Sequence, residues 1–164
     1  MARGKQIFKK KVLTTTKTTV SEPVAQKKLS NFIPAMLAKE TAIAFSDKNW
    51  LYEIKWDGYR AIAELDKGKV KLYSRNGNSF EAAYPIVFDA LQQLKLNAVF
   101  DGEIVVMNEE GKPDFQKLQH YAENTNYPIF YYVFDLLRHN NKDLYNLPLI
   151  ERKKHWQQCL MQMK

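Results

Sequence analysis

Glu53-Ile54-Lys55-Trp56-Asp57-Gly58-Tyr59-Arg60-Ala61-Ile62-Ala63-Glu64-Leu65-Asp66-Lys67-Gly68-Lys69-Val70-Lys71-Leu72-Tyr73-Ser74 is the stretch that decides the fold class. Its second half holds two strand-like runs, Arg60–Asp66 and Lys69–Ser74. Lys67-Gly68 separates the two runs, so they read as a β-hairpin. The first half reads as a strand over Trp50–Trp56. Tyr52, Ile54 and Trp56 share one face there, and Glu53, Lys55 and Asp57 the other. Asp57-Gly58 is itself a hairpin turn signal. Strands joined by short turns predict an antiparallel sheet.

Working outward, Phe32-Ile33-Pro34-Ala35-Met36-Leu37 marks the start of ordered chain. Arg75-Asn76-Gly77-Asn78 is a loop. Ser79 or Glu81 opens a helix with Ile86, Ala90, Leu91 and Leu94 on one side, and Pro85 limits its first turn. Ala98–Met107 reads as a strand with Asp101-Gly102 inside it. Asn108–Pro113 is a turn, and Asp114 caps a short helix through Tyr121. Ile129–Leu137 is apolar enough for a strand buried on both faces. Leu149–Met163 is a closing amphipathic helix. Hairpins interleaved with helices predict an α+β fold, with antiparallel sheets flanked by helices. There is no GxGxxG and no GxxxxGK[ST], which excludes the dinucleotide and P-loop patterns.

The chain has 164 residues and a formal net charge of +7. Residues 1–30 hold eight basic groups and one acid; residues 31–164 hold 17 of each sign. A basic tail or linker (1–30) therefore precedes a neutral domain (31–164). The tail has few large apolar residues and reads as solvated, with DNA contact or targeting as other readings. No apolar run approaches the ~20 residues of a membrane helix, so no membrane partner is expected. The single cysteine, Cys159, has no partner for an internal disulfide, which fits a reducing compartment. Cys159 and the scattered His120, His139 and His155 do not form a metal-ligand pattern.

Lys55 carries the first chemical question. By pattern it is either a lysine on the wet face of a strand, ion-paired to Glu53, or an amine desolvated by its apolar neighbours and thereby made nucleophilic. Lys55-Trp56-Asp57-Gly58-Tyr59-Arg60 resembles motif I of the covalent nucleotidyltransferases, the DNA ligases, RNA ligases and mRNA capping enzymes. Ser74-Arg75-Asn76-Gly77 resembles the Ser-Arg-x-Gly element of that superfamily. Phe100-Asp101-Gly102-Glu103 resembles motif III, and Tyr132-Val133-Phe134-Asp135-Leu136-Leu137 resembles motif IIIa. The elements occur in the family's order across about residues 32–156. The approach Pro34…Leu37-Ala38 and the run Asp143…Leu147-Pro148-Leu149…Glu151-Arg152 are most similar to ATP-dependent DNA ligases. Within these, the likeness is to the ligase domains of the bacterial end-joining ligase D group.

The resemblance implies an ATP-grasp-like nucleotidyltransferase fold and a set of roles. Lys55 would attack the α-phosphorus of ATP, form lysyl-AMP and release pyrophosphate. Glu53 would lie beside the adenine, Arg60 would contact the ribose or the nick terminus, and Phe134 would stack on the base. Glu103 would hold the ribose or a metal ion, Mg2+ or alternatively Mn2+, with Asp101 supporting it. Arg75 would bind a phosphate of the nucleic acid. The implied partners are ATP, nicked double-stranded DNA, and end-joining proteins or fused polymerase and nuclease domains. The implied location is the bacterial cytoplasm, at the nucleoid.

The family's motif IV (Glu-Gly), motif V (Lys-x-Lys) and OB domain are not found in residues 1–164. The expectation is therefore the N-terminal part of an adenylation domain, lacking complete ligase activity. Two other readings compete. One is an RNA ligase or capping guanylyltransferase, separable by ATP against GTP. The other is a non-catalytic DNA-binding fragment. Lys153 and Lys154 are expected on the solvated face of the last helix.

Overall fold

The computed structural model describes residues 32–161; the basic segment 1–30 and the last residues of the helix expected over Leu149–Met163 lie outside the described residues. Five strands form one antiparallel sheet in the order β2-β1-β3-β4-β5. They are β1 (Tyr59–Asp66), β2 (Lys69–Ser74), β3 (Asn97–Val106), β4 (Ile129–His139) and β5 (Lys142–Asp143). The helices are α1 (Pro85–Gln93), α2 (Phe115–Gln119) and α3 (Leu149–Met161). This is the expected α+β class, an antiparallel sheet flanked by helices.

The β1–β2 hairpin forms as its sequence dictates. Asp66 pairs with Lys69, and the two residues between them take positive φ, 50° at Lys67 and 95° at Gly68. That is the backbone a two-residue turn needs to match the strand twist. One sheet face packs on the helices. Ala61, Ala63, Leu65, Phe100 and Ile104 form its core with Val87 and Leu91 of α1, Leu118 of α2 and Cys159 of α3. The other face carries a smaller cluster, Ile62, Tyr73, Val99 and Leu137, covered by Phe32, Ile33 and Ala35. The Tyr73 hydroxyl donates to Glu64 at 2.6 Å and accepts from the Ile33 amide at 2.9 Å, which pins this covering segment to the sheet.

Several expectations are corrected. Trp50–Trp56 is not a strand: among the described residues it has no ladder partner, and Trp50 (60%) and Ile54 (71%) are exposed. Alternation alone does not make a strand without a neighbour to take its backbone hydrogen bonds. Asp57-Gly58 is not a hairpin turn either. Gly58 leads straight into β1, where an added Cβ would collide with the Ile104 carbonyl and sit 3.0 Å from Val105 Cγ2. This glycine serves close backbone approach rather than a turn.

The first helix starts at Pro85, not at Ser79 or Glu81. Residues 79–80 are drawn into the sheet by the Tyr73–Ser79 bridge and the Phe80 amide bond to the Leu72 carbonyl. Proline suits the first helical position because its missing donor is an unpaired one there. The buried residues are Val87 and Leu91, while Ile86 and Ala90 are exposed. Strand β4 is not buried on both faces along its length; only Asp135, Leu136 and Leu137 are fully buried. The Asp114 cap holds, its side chain accepting from the Lys117 amide at 3.0 Å, but α2 ends at Gln119.

Gly58→Ala should destabilise the domain by about 2 kcal/mol, because the intruding methyl meets immobile backbone. Urea unfolding followed by tryptophan fluorescence measures this; an unchanged midpoint would count against the close-approach role.

Candidate nucleotide-binding site

The site residues lie on the sheet face opposite the helices, at the end where β1 begins. Register sets the row: Arg60 pairs with Glu103, and Glu103 with Tyr132. Asp101 is two residues from Glu103 on β3 and shares its face. Arg60 grips Asp101 with two parallel bonds, Nε to Oδ1 at 2.9 Å and Nη2 to Oδ2 at 2.6 Å. Asp101 is only 1% exposed. Burial pushes its carboxyl up, and the bonds to Arg60 oppose that shift. The Asp101 hydrogen bond in turn holds the Arg60 guanidinium above its usual value. Such a fork is the strong form of ion pair.

Phe134 enters through a fault in the ladder. Phe100 pairs with Leu136, Asp101 with Asp135, and Gly102 already with Val133, so Phe134 has no register partner. A bulge of this kind re-aims a side chain. Here the ring lies under the Arg60 guanidinium, Cζ to centroid 5.3 Å. Gly102 permits the crowding on the partner strand; a Cβ there would lie 2.6 Å from Tyr131 Cε2 and from the Tyr132 carbonyl.

Glu103 stands beside this pair. Burial is the largest influence on its carboxyl, which is pushed up to about 7. Arg60 opposes the rise, Asp101 adds to it, the Gly58 amide opposes it, and Asp57 adds again. Glu103 is therefore a carboxylate short of positive charge, next to a second carboxylate.

The Lys55-bearing segment lies against β4. Trp56 stacks on Tyr132 with centroids 3.9 Å apart and planes 12° from parallel. Glu53 pairs with Lys153 of α3, and the same ammonium donates to the Phe134 carbonyl. Lys55 is thus bracketed by two contacts to the Tyr132–Phe134 stretch. It is exposed, so the flanking apolar residues do not bury its amine as the sequence suggested. Glu53 is not the partner of Lys55 but of Lys153. Arg75 is exposed, one residue beyond Ser74, which pairs with Ala61. It therefore sits at the Arg60 end of the sheet. Its loop is shaped by Ser74 Oγ, which accepts from the Asn76 and Asn78 amides at 3.3 and 3.1 Å.

The structure thus brings Arg60, Asp101, Glu103 and Phe134 together, with the segment carrying Lys55 joined to them through Glu53 and Trp56 and with Arg75 at the margin. Among the described residues no group of three or more His, Cys, Asp or Glu side chains gathers as a metal site. Sequence reasoning missed Lys153, which is partly buried rather than on a fully solvated face: its side chain is 23% exposed. It also missed the Trp56–Tyr132 stack. Neither carries a one-dimensional signal, because each depends on where an unladdered segment comes to rest.

The family described as "ATP dependent DNA ligase domain" matches residues 35–164. The multifunctional non-homologous end joining protein LigD of Pseudomonas aeruginosa is 42% identical over 106 residues, 63% of this chain and 13% of that protein. The crystallised ligase domain of M. tuberculosis LigD matches with TM-score 0.60 and 32% identity, over 66% of this chain and 36% of that one. A mycobacterial DNA ligase D complexed with ATP and MES matches with TM-score 0.61 and 32% identity over the same shares. The chain thus spans well under half the length of these relatives.

Glu103 predicts a pH dependence. Its folded pKa lies above the ordinary carboxyl value, so the folded state binds the proton more tightly than the unfolded one. Its contribution is therefore most favourable in acid and is lost as pH rises from about 4.5 to about 7. Glu103→Gln should remove that slope. The variant should be more stable than wild type near about pH 8 and equal near about pH 4. Urea titrations at both pH values check this, and parallel curves would contradict the burial argument.

Proposed function

Since the chain belongs to the ATP-dependent DNA ligase domain family, we propose that its sheet face binds ATP and transfers AMP to Lys55, the first step of sealing a DNA nick. The observation that carries this is the bracketing of Lys55 along the chain, between Glu53, tied through Lys153 to the Phe134 carbonyl, and Trp56, stacked on the Tyr132 ring. It supports a reading in which the motif I amine faces a nucleotide held by Arg60, Glu103 and Phe134.

Phe134 is the platform for the adenine ring, the general way to hold a flat base. Glu53 is the acceptor for the exocyclic amino group. Arg60, locked by Asp101 through Nε and Nη2, has its remaining guanidinium hydrogens for the sugar or, later, the nick terminus. Glu103 holds the ribose hydroxyls or a Mg2+ ion. The residues fit such an ion: Mg2+ takes one or two carboxylates and fills the rest of its shell with water and substrate phosphates, and the raised Glu103 carboxyl has Asp57 for a neighbour. When bound, that ion supplies positive charge against the phosphates.

The unprotonated Lys55 Nζ attacks the α-phosphorus, the bond to the β-phosphate oxygen breaks, and pyrophosphate leaves with its electron pair. Nζ gives its proton to solvent. In the whole protein, a 5′-phosphate oxygen of the nick then displaces Lys55 from AMP. The 3′-hydroxyl next attacks that phosphate and releases AMP. Arg75 is the candidate contact to the DNA phosphates, and the tail (1–30) a salt-sensitive auxiliary contact. The nucleoid is where such a substrate lies, and end-joining proteins or fused polymerase and nuclease domains are the partners this reading entails.

Incubation with α-labelled ATP and Mg2+, alone and with a supplied C-terminal ligase segment, should place label on the wild-type chain. Lys55→Ala should lose essentially all of it while keeping nucleotide affinity within about threefold, since Phe134 and Glu53 remain. Label surviving in Lys55→Ala removes the nucleophile assignment. A strong preference for GTP redirects the reading to a capping enzyme.

A further inference from the structure

We infer that Lys153 is a positioning residue for the site: its ammonium ties Glu53, and with it the Lys55 segment, to the backbone of β4 at Phe134. The inference rests on the nucleotide reading above and adds to it a residue and a basis for base selectivity. The need for a tether is visible in the chain. Across residues 36–57 the one backbone–backbone hydrogen bond among those described is Trp50 to Asp47. Large apolar residues stand exposed at Leu37, Ile43, Trp50, Leu51 and Ile54. A segment with so few internal bonds has low local stability. It nevertheless carries the residue that must meet the α-phosphorus in one geometry.

Lys153 is suited to the task because α3 is itself held firmly. Arg152, the preceding residue, makes a buried ion pair with Asp135 at 2.8 Å and donates to the Leu147 carbonyl at 2.6 Å. Trp156 packs edge-on against Phe100 with centroids 5.3 Å apart. From this fixed base, Lys153 reaches Glu53 one hundred residues earlier in the chain. Its two acceptors are the carboxylate proposed for the adenine amine and the carbonyl of the proposed adenine platform. Fixing Glu53 as an acceptor favours a base that presents an amino group there over one that presents a carbonyl. Lys153 therefore acts on adenine-over-guanine selectivity through Glu53, without contact to the reacting atoms. Lys154, its exposed neighbour, provides a control.

The test compares the full chain with Lys153→Met, Lys153→Arg and Lys154→Met. Trypsin cleavage after Lys55 reads the tether without nucleotide, since cleavage follows local opening. Calorimetric titration with ATP and with GTP reads selectivity. Lys153→Met should be cut faster after Lys55 and bind ATP about tenfold more weakly, the loss expected of one charge-assisted hydrogen bond. GTP affinity should be unchanged, Lys153→Arg should recover most of the ATP affinity, and Lys154→Met should match wild type. Unchanged cleavage in Lys153→Met overturns the inference, as does an equal loss of ATP and GTP. Faster cleavage in a chain that binds no nucleotide in any form supports the tether and overturns the nucleotide reading instead.

Discussion

A carboxylate sealed inside a sheet imposes the order of this site. Asp101 lies in the middle of β3, at the centre of the five strands, with almost no exposure. An uncompensated charge at such a position is strongly destabilising. Arg60 compensates it, reaching along the sheet from the position opposite Glu103 to the next carboxylate on the same face. The fork can close only if β1 and β3 pair in the observed register, since a slip of one residue would send Arg60 to the helix face. One ion pair thus fixes the register, immobilises the guanidinium, and leaves Glu103 as the carboxylate without a fork of its own. The raised Glu103 pKa comes first from burial; the Arg60 guanidinium opposes the rise and the Asp101 carboxylate adds to it.

The second constraint is the irregular ladder between β3 and β4. Two register shifts over a few residues leave Phe134 and Leu137 without partners. Phe134 is thereby turned toward Arg60, and Leu137 joins the small cluster under Phe32 and Ile33. At the same point Asp135 meets Arg152 and binds α3 to the strand. A local loss of pairing is thus the device that joins sheet, platform and helix. The flanking regular pairs keep the strand in place on both sides.

Much of this was legible in one dimension. The β1–β2 hairpin was, because Lys67-Gly68 is a local turn between two short runs. The Asp114 cap was, because its bond runs three residues along the chain. Strand β3 was, because its carboxylates lie two apart. The face that gathers Arg60, Glu103 and Phe134 was legible only through motif order, since nothing local says that β1, β3 and β4 become neighbours. What failed depended on tertiary partners. Trp50–Trp56 has the period of a strand and no ladder to join. Residues 79–80, where the helix was expected to open, are drawn toward β2. Lys153 looks like a surface lysine until the segment holding Glu53 is seen to pass beside it.

The electrostatics of the assembled face bear on how a nucleotide is held there. Two cations near Phe134 are already engaged, Arg60 with Asp101 and Lys153 with Glu53. Glu103 and Asp57 add negative charge that the Arg60 guanidinium only partly answers. In the proposed complex, affinity therefore has to come chiefly from stacking on Phe134 and from the amino-group contact at Glu53. In that complex the triphosphate would meet its positive charge in an ion held at Glu103, rather than in the paired arginine or in Lys55, whose amine is neutral when it attacks. This division suits group transfer. Contacts to the base persist in substrate and product alike and contribute binding. Charge placed at the phosphates stabilises the state in which the bond to pyrophosphate breaks, and only such differential stabilisation accelerates the step.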